Sequence, residues 1–469
     1  MQAFIDFFTG ALNDFAWLYM FLPCVMVGGI LLTVRTKAVQ FSHFGYAMKN
    51  TVGKMFKKTE AGKGAVTPLQ AVTTALAATV GTGNIVGTSQ AIALGGYGAV
   101  FWLWVAALLG MVIKYSEVVL SIQYRQRDEK GDWVGGPMYY IAGIGPKWKW
   151  LAMVYAALAG IACFGIGNMS QVNAITGSIT NAITAFFTIN DSGITVIHWV
   201  IGLSLAALVA LILLGGIKRI GKVAEKLVPI MSVFYVLVCL GVIFSHAGNI
   251  GGAFAKIFTA AFSPRAVLGA ASGIALKEAL VWGLRRSAFS NEAGLGSAVH
   301  QGLYGIFEVF VDTIVICSMT ALTIICSGVD INFGVKPGSE LITAAVATIF
   351  GDKLAALFVA VALILFAFST VLGWALYGSH QVLSGSVRDR HRHRLRLPDR
   401  HCLEHRRYLQ RPHGHPELCG SVRALRRRGK AHKGALLRSR GNAGRRDVHL
   451  ITSITVKTPS VNDRWRFRL

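Results

Sequence analysis

Residues 75–89, which read ALAATVGTGNIVGTS, place glycines and polar side chains in the middle of an apolar stretch. Gly81, Gly83 and Gly87 remove side chains and Asn84 adds an amide, in a run of about 25 residues that is long enough to cross a bilayer. Irregular backbone is tolerated in hydrocarbon only where it is buried in protein or lines a cavity, because each unpaired amide costs several kcal/mol. The composition therefore predicts a helix that breaks inside the membrane, with a binding site at the break.

A second irregular segment, GAASG, lies at residues 269–273 in another apolar run, which would cross the membrane in the opposite direction. Two interrupted helices of opposite direction that face each other at mid-membrane are typical of inverted-repeat transporters. Their half-helix ends carry opposite partial charges, positive at the N-termini and negative at the carbonyl-bearing C-termini. Close packing of helices through small residues is the competing interpretation, although it does not account for Asn84.

The elements that must position these segments are long apolar runs. The chain has 469 residues, of which 53% are hydrophobic and 15% are charged, and its mean hydropathy is +0.52. These values predict an all-α polytopic membrane protein. The predicted spans are residues 15–34, 70–94, 98–121, 148–170, 195–215, 227–246, 266–284, 307–328 and 354–377.

The distribution of basic residues orients these spans. Loops that carry few Lys and Arg alternate with loops that carry many, and the positive-inside rule places the basic loops in the cytoplasm. The pattern predicts a multi-pass protein of the inner membrane. The basic loops are residues 35–63, 124–149, 218–226 and 285–307.

Some charged residues lie within or beside the spans. Lys114 and Glu117 are three residues apart near the end of a span, a spacing that predicts mutual pairing or snorkelling. Asp312 lies at a depth where charges are usually paired or face a cavity. Ser290 and Asn291 are expected to cap a helix start in an inner loop.

Six sequence blocks then follow one another in order within residues 15–380. Together they resemble the alanine or glycine:cation symporter family, which consists of amino-acid transporters with a LeuT-type fold. The blocks are VGTGNIVG at 80–87, the segment 95–125, GNMSQVN at 167–173, GGIKRIGK at 215–222, FSNEAGLGSA at 289–298 and FAFSTVLGWALYG at 366–378.

The resemblance implies a LeuT-type five-helix inverted repeat with one extra N-terminal span. Residues 1–34 would hold the N-terminal region with that span, and residues 70–246 the first repeat. Residues 266–378 would supply three spans of a truncated second repeat, so that poor folding or a loss of transport is expected for this chain.

The implied function is symport of alanine or glycine with sodium by alternating access, without enzymatic activity or an organic cofactor. Consistent with this, the sequence contains no Walker-type or HExxH motif. Partners would be the amino acid, sodium and the lipid bilayer, and the oligomeric state is open. The expected substrate residues are Val80, Gly81, Thr82, Gly83, Asn84, Gln171, Ser272 and Gly273.

For sodium, the resemblance implies the hydroxyls of Ser369 and Thr370 together with the carbonyls of Ala77 and Val80. Such hydroxyls also commonly bond back to a carbonyl of their own helix, which is the competing interpretation. Gln171 has an alternative as well, that of a solvated loop amide.

The composition changes abruptly in residues 386–469, which contain 23 of the 47 Lys and Arg residues. A shift of reading frame near residues 379–389 would produce such a basic tail. The alternative is a membrane-anchored protein whose tail binds anionic lipid or nucleic acid, although its aromatic residues are few and lie mainly near its end, at Trp465 and Phe467. A channel is a further alternative, and it predicts flux that does not depend on sodium.

Overall fold

The structure is a computed structural model that describes residues 10, 12–55, 68–127, 133–262, 276–291 and 302–386. These ranges are almost entirely helical, and the sheet among them is a short hairpin of β1 (Gln126–Arg127) and β2 (Trp133–Val134). The longer α-helices are α1 (Leu22–Arg35), α2 (Phe44–Met55), α3 (Pro68–Thr79), α4 (Thr88–Gly95), α5 (Gly98–Gln123), α6 (Pro137–Ile144), α7 (Lys149–Phe164), α8 (Ser170–Thr184), α9 (Asp191–Leu213), α10 (Gly216–Ser245), α11 (Ile250–Phe262), α12 (Leu276–Asn291), α13 (Gly302–Val309), α14 (Ser318–Ser327) and α15 (Glu340–Ser386).

Four π-helical segments extend or connect these helices. They are Phe15–Phe21 before α1, Gly83–Gly87 before α4, Gly165–Met169 between α7 and α8, and Phe310–Cys317 between α13 and α14. Segments of this kind are frequent at functional sites, because the wider turn disturbs the regular hydrogen-bond ladder.

Seven of the predicted spans coincide with helices that are long and apolar enough to cross a membrane. The run at residues 70–94 is instead divided among α3, the π-helix Gly83–Gly87 and α4, with Val80 and Gly81 outside any helix. The predicted break is therefore confirmed. The first part of the run at residues 266–284, with its GAASG segment, lies outside the described residues.

Two predicted boundaries were wrong. The span expected to end near residue 170 continues through the π-helix Gly165–Met169 and α8 to Thr184. Residues 285–291, expected to begin a loop, belong to α12, so Ser290 is not at a helix start. Gln171, just past the first predicted end, and Ser290 are both buried inside the protein.

Helix α15 combines two helical stretches that meet at Gly351. The backbone of Gly351 has φ 73°, a left-handed conformation that glycine adopts without a Cβ penalty. The apolar part of α15 packs against α3, α8 and α10. This packing brings Ser369 and Thr370 to the end of α3.

A buried apolar cluster surrounds the break. Val80 and Ile85, on either side of Gly81, are both fully buried in it. Tyr235 of α10 and Phe366 of α15 pack edge to face within the same cluster, with ring centroids 5.3 Å apart. The irregular backbone is thus enclosed by protein, as irregular backbone at membrane depth requires.

Lys114 forms a buried ion pair with another helix. Its side chain is completely buried, and Nζ lies 3.5 Å from Oε1 of Glu308 in α13. The predicted snorkelling was therefore wrong. Sequence spacing relates only residues of one helix, so it could not indicate Glu308, which is distant in the chain.

Replacing Lys114 by methionine is expected to destabilise the protein by about 3–5 kcal/mol, because the Glu308 carboxylate would be left buried without this cation. The double variant Lys114→Met with Glu308→Leu should regain most of that loss, since no charge is then buried at this position. Thermal unfolding of the detergent-purified proteins measures both effects. Equal stabilities for the single and double variants would contradict the pairing.

Candidate functional site

The helix break is held open by the side chain of Asn84. The Gly81 N–H donates to Asn84 Oδ1 at 3.0 Å, and the Asn84 N–H donates to the Gly81 carbonyl at 3.0 Å. In a continuous helix the Gly81 N–H would instead donate to the carbonyl of Ala77. At the break, the Gly81 N–H therefore donates to the Asn84 side chain instead of to the Ala77 carbonyl.

Two hydroxyls of α15 meet the carbonyl of Val80 at this point. Ser369 Oγ and Thr370 Oγ1 lie 3.5 and 3.4 Å from Val80 O, and both side chains are buried. The same hydroxyls lie 2.8 and 3.0 Å from the carbonyl of Phe366, so the predicted back-bonding also occurs. Three of the four oxygens expected to bind sodium are thus together, and Ala77 is buried one turn before Gly81.

The geometry of these oxygens suits a cation. A hydroxyl has one hydrogen, and the shorter contacts to Phe366 O account for it in both residues. The hydroxyl lone pairs then face the Val80 carbonyl oxygen at distances that are long for a hydrogen bond. Oxygens that coordinate one ion at about 2.4 Å with right-angled geometry lie about 3.4 Å apart. Hard neutral oxygens of this kind fit Na⁺.

Small residues allow α3 and α15 to approach closely enough for this arrangement. A Cβ built on Gly81 would overlap the hydroxyl of Thr370 and lie 3.4 Å from its Cβ, and a Cβ on Gly373 would lie 2.6 Å from Ala78 Cα. A side chain at either glycine would force the two helices apart. The glycines thus have a packing role next to the oxygens.

On its other side the break reaches a cavity of about 690 Å³. Thr82 and Gly83 line this cavity, together with residues from the N-terminal π-helix Phe15–Phe21, α8, α12 and α15. The further lining residues are Asn13, Trp17, Val86, Gly87, Gln90, Ser170, Asn173, Ala174, Gly177, Ser178, Asn181, Trp282, Arg285, Arg286, Lys336, Gly338, Ser339, Glu340 and Leu363.

Gln171 is joined to the break and is not a loop residue. It is 2% exposed, its Oε1 accepts from Thr82 Oγ1 at 2.8 Å, and its Nε2 donates to the carbonyl of Ile166 at 3.1 Å. The alternative of a solvated amide was therefore wrong. Gln171 lies within a long helical run whose π-helical turn exposes the Ile166 carbonyl to it.

Asn84 is turned into the protein. Its Nδ2 donates to Asp312 Oδ1 at 2.7 Å and to Asp312 O at 2.9 Å, and its side chain is fully buried. Its own carbonyl accepts from Thr320 Oγ1 at 2.8 Å, and that hydroxyl lies 2.7 Å from Tyr235 OH. The amide expected to face the substrate thus connects the break to the π-helix Phe310–Cys317. Ser272 and Gly273, the other expected substrate residues, lie outside the described residues.

Asp312, Ser290 and Arg286 were not among the expected site residues. Asp312 and Ser290 are buried and hydrogen-bonded to each other beside Asn84, and Arg286 packs against Gly83 and Gly87. For Asp312, the signal in the sequence was a charge within an apolar run, which indicates a functional position but does not identify the residue's partner. Arg286 carried no such signal, because the charges around it indicated a loop.

Comparisons with known proteins identify the family. The family model of the sodium:alanine symporter family matches residues 1–390. The chain is 39% identical over 390 residues to the sodium/alanine symporter AgcS of Methanococcus maripaludis, a match that covers 79% of this chain and 81% of that protein. It is 36% identical over 399 residues to the amino-acid carrier protein AlsT of Bacillus subtilis, covering 81% of this chain and 79% of that protein.

A third relative carries a different substrate in its name. The chain is 34% identical over 396 residues to the probable sodium/glutamine symporter GlnT of Bacillus subtilis, covering 81% of this chain and 78% of that protein. These matches cover about four fifths of the chain, and the structure has a helical break enclosed by long apolar helices. This multi-pass membrane protein therefore belongs to the sodium:alanine symporter family, whose members are transporters and not enzymes.

Proposed function

We propose that the chain moves a small neutral amino acid, alanine or glycine, together with sodium across the cell membrane by alternating access. One observation carries the proposal. Two buried hydroxyls of α15 converge on the carbonyl of Val80 where α3 breaks, while Thr82 and Gly83, next along the chain, line a cavity. A cation site and a substrate site would therefore share four consecutive residues of backbone.

In this proposal sodium is held by the carbonyls of Ala77 and Val80 and by the hydroxyls of Ser369 and Thr370. The carbonyl end of α3 carries the negative end of its helix dipole, which favours a cation there. The diversion of the Gly81 N–H to Asn84 supports Ala77 as the fourth ligand. None of these groups is charged, so the site needs no fixed carboxylate.

The substrate would bind on the cavity side of the break. The backbone from Val80 to Gly83 would contact it, with Thr82 oriented by its hydrogen bond to Gln171. Ser272 and Gly273 would complete the site from a second interrupted helix. Asn84 would stabilise the break from the protein interior, through the hydrogen bonds of its side chain with Gly81 and Asp312.

Sharing one stretch of backbone would couple the two ligands. Sodium at Val80 would fix the conformation of the next residues, and a bound amino acid would in turn fix the carbonyls that hold sodium. Each ligand must then raise the affinity for the other by the same factor. Transport would follow from rocking of one helix bundle against the other, with residues 70–246 as the first repeat and residues 266–378 as the truncated second one. Transport by this chain differs from the loss of transport that the missing spans led us to expect, and uptake measurements decide between the two.

Uptake into proteoliposomes tests this function. With the purified full chain, an inward sodium gradient is expected to drive saturable accumulation of labelled alanine, whereas a potassium gradient of the same size should not. Competition by unlabelled glycine and glutamine then defines the substrate class. Flux that does not saturate and is equal in both gradients would indicate a channel and would contradict the proposal.

The basic tail is expected to contribute nothing to this activity. The family match ends at residue 390, close to the point where the composition changes. Removing residues 391–469 should therefore leave sodium-driven alanine uptake at the level of the full chain. If the deletion abolishes function while Ser369→Ala has no effect, the alternative of an anchored binding protein would replace the symporter proposal.

A further inference from the structure

Arg286 places a positive charge beside the helix break. Its guanidinium packs against Gly83 and Gly87, where a Cβ added to Gly83 would lie 2.6 Å from Arg286 Cζ. A side chain at either glycine would displace the guanidinium. Arg286 also lines the cavity together with Thr82 and Gly83. A cation is therefore held within reach of the proposed substrate site.

The position of Arg286 is fixed by contacts of α12 on both sides of it. Ser290 follows four residues later on the same helix face, and its Oγ donates to Asp312 Oδ2. Gly283, one turn before Arg286, packs on α5, where an added Cβ would lie 2.9 Å from the backbone nitrogen of Leu103. Preorganisation of this kind makes a charged group effective as a receptor.

Asp312 supplies the opposite charge from the protein interior. Its carboxylate is fully buried and accepts from Asn84 Nδ2 at 2.7 Å, from Thr313 Oγ1 at 2.8 Å and from Ser290 Oγ. Arg286 lies one turn before Ser290 on the same face of α12, which places its guanidinium on the side of this carboxylate. Three neutral donors thus keep the carboxylate in place, and an arginine inside a membrane protein has the counter-charge that it requires.

The neighbouring Arg285 is placed differently. Its Cζ lies 5.6 Å from the ring centroid of Trp17 and 5.4 Å from that of Trp282, so two aromatic rings hold it by cation–π interactions. It lines the same cavity as Arg286, but the three atoms nearest to an added Cβ at Gly83 and at Gly87 all belong to Arg286. Of these two adjacent arginines, Arg286 is the one at the break.

We propose that Arg286 is the carboxylate receptor of this transporter and determines its specificity for ligands with a free α-carboxylate. The inference rests on the proposed function and deepens it. The planar guanidinium can donate two parallel hydrogen bonds to a carboxylate, an arrangement that combines strength with directional selectivity. Because Arg286 and Asp312 balance each other, the zwitterionic amino acid would add no net charge to the site, and sodium would add one positive charge.

Binding of L-alanine and L-alaninamide to the purified full chain in sodium tests this inference. Alaninamide keeps the methyl and ammonium groups of alanine and lacks the carboxylate. We expect Arg286→Gln to weaken alanine binding about 10- to 100-fold and to leave the weak binding of alaninamide unchanged. Arg286→Lys should weaken alanine binding less and should also leave alaninamide binding unchanged. If Arg286→Gln fails to fold, this selective loss in Arg286→Lys serves as the test. Unchanged alanine binding, or equal losses for both ligands, would overturn the inference.

Two further variants sharpen the test. Arg285→Gln removes the same charge from the same cavity and should weaken alanine binding less than Arg286→Gln; equal losses would show a general charge effect and overturn the inference. Gly87→Ala, at a glycine outside the backbone proposed to contact the substrate, also displaces the guanidinium and should lower alanine affinity in the same selective way. Failure of the proposed function is distinguishable, because the unaltered chain would then show no sodium-dependent alanine binding at all.

Discussion

Replacing Ser369 and Thr370 together by alanine is expected to abolish sodium-driven uptake at ordinary sodium concentrations. The change removes two of the four proposed oxygen ligands and leaves the carbonyls of Ala77 and Val80. If each hydroxyl contributes about 1.5–3 kcal/mol, as hydrogen bonds to charged groups do, sodium binding should weaken at least about 100-fold. The sodium concentration for half-maximal uptake and direct binding of labelled sodium measure the effect.

The controls for this prediction lie on the same helix. Thr348 also bonds back to a carbonyl, with its Oγ1 2.7 Å from Ala345 O, and Thr348→Ala should leave the sodium dependence unchanged. Thr370→Ser keeps the ligand oxygen and should retain sodium binding, whereas Thr370→Val keeps the shape and should weaken sodium binding by about 10-fold or more. A double alanine variant with the sodium dependence of the unaltered chain would show that sodium binds elsewhere.

Replacing Asn84 by alanine is expected to destabilise the protein by about 3–5 kcal/mol and to stop transport. The variant would leave the Gly81 N–H without its acceptor and would remove the Asn84 donor from the buried Asp312 carboxylate. Both consequences act on the break itself. Thermal unfolding in detergent and alanine uptake by the refolded or directly purified protein measure the two effects.

Asn249 offers a matched comparison for Asn84. Its Nδ2 donates to the carbonyl of Cys326 at 2.8 Å in a partly buried position, so Asn249→Ala should lower stability by only about 1 kcal/mol and should preserve transport. If Asn84→Ala is no more harmful than Asn249→Ala, Asn84 does not hold the break.

The break itself was predictable from residue types. Three glycines and several polar residues within one apolar run are incompatible with a regular spanning helix, and the structure has its interruption at Val80 and Gly81. The direction of the Asn84 side chain was not predictable, because it depends on Asp312, more than 200 residues away in the chain. A local pattern identifies a polar residue at membrane depth but not the partner that it faces.

The convergence of Ser369 and Thr370 on Val80 shows a different limit. Their spacing on one helix predicts only back-bonding to Phe366, which occurs, and the second contact with α3 was expected solely from the family resemblance. Arg286 was missed for a related reason. Hydropathy treats an Arg-Arg pair as the end of a span, whereas small residues on a neighbouring segment allow this guanidinium to be accommodated inside.

Reciprocal coupling between sodium and alanine tests the central claim most directly. We would measure the Kd of the purified chain for alanine over a range of sodium concentrations, and the Kd for sodium over a range of alanine concentrations. The shared backbone from Val80 to Gly83 predicts that each ligand increases the affinity for the other by the same factor, and that the double alanine variant of Ser369 and Thr370 loses this coupling. Alanine binding that is independent of sodium in the unaltered chain would contradict a sodium site at the break.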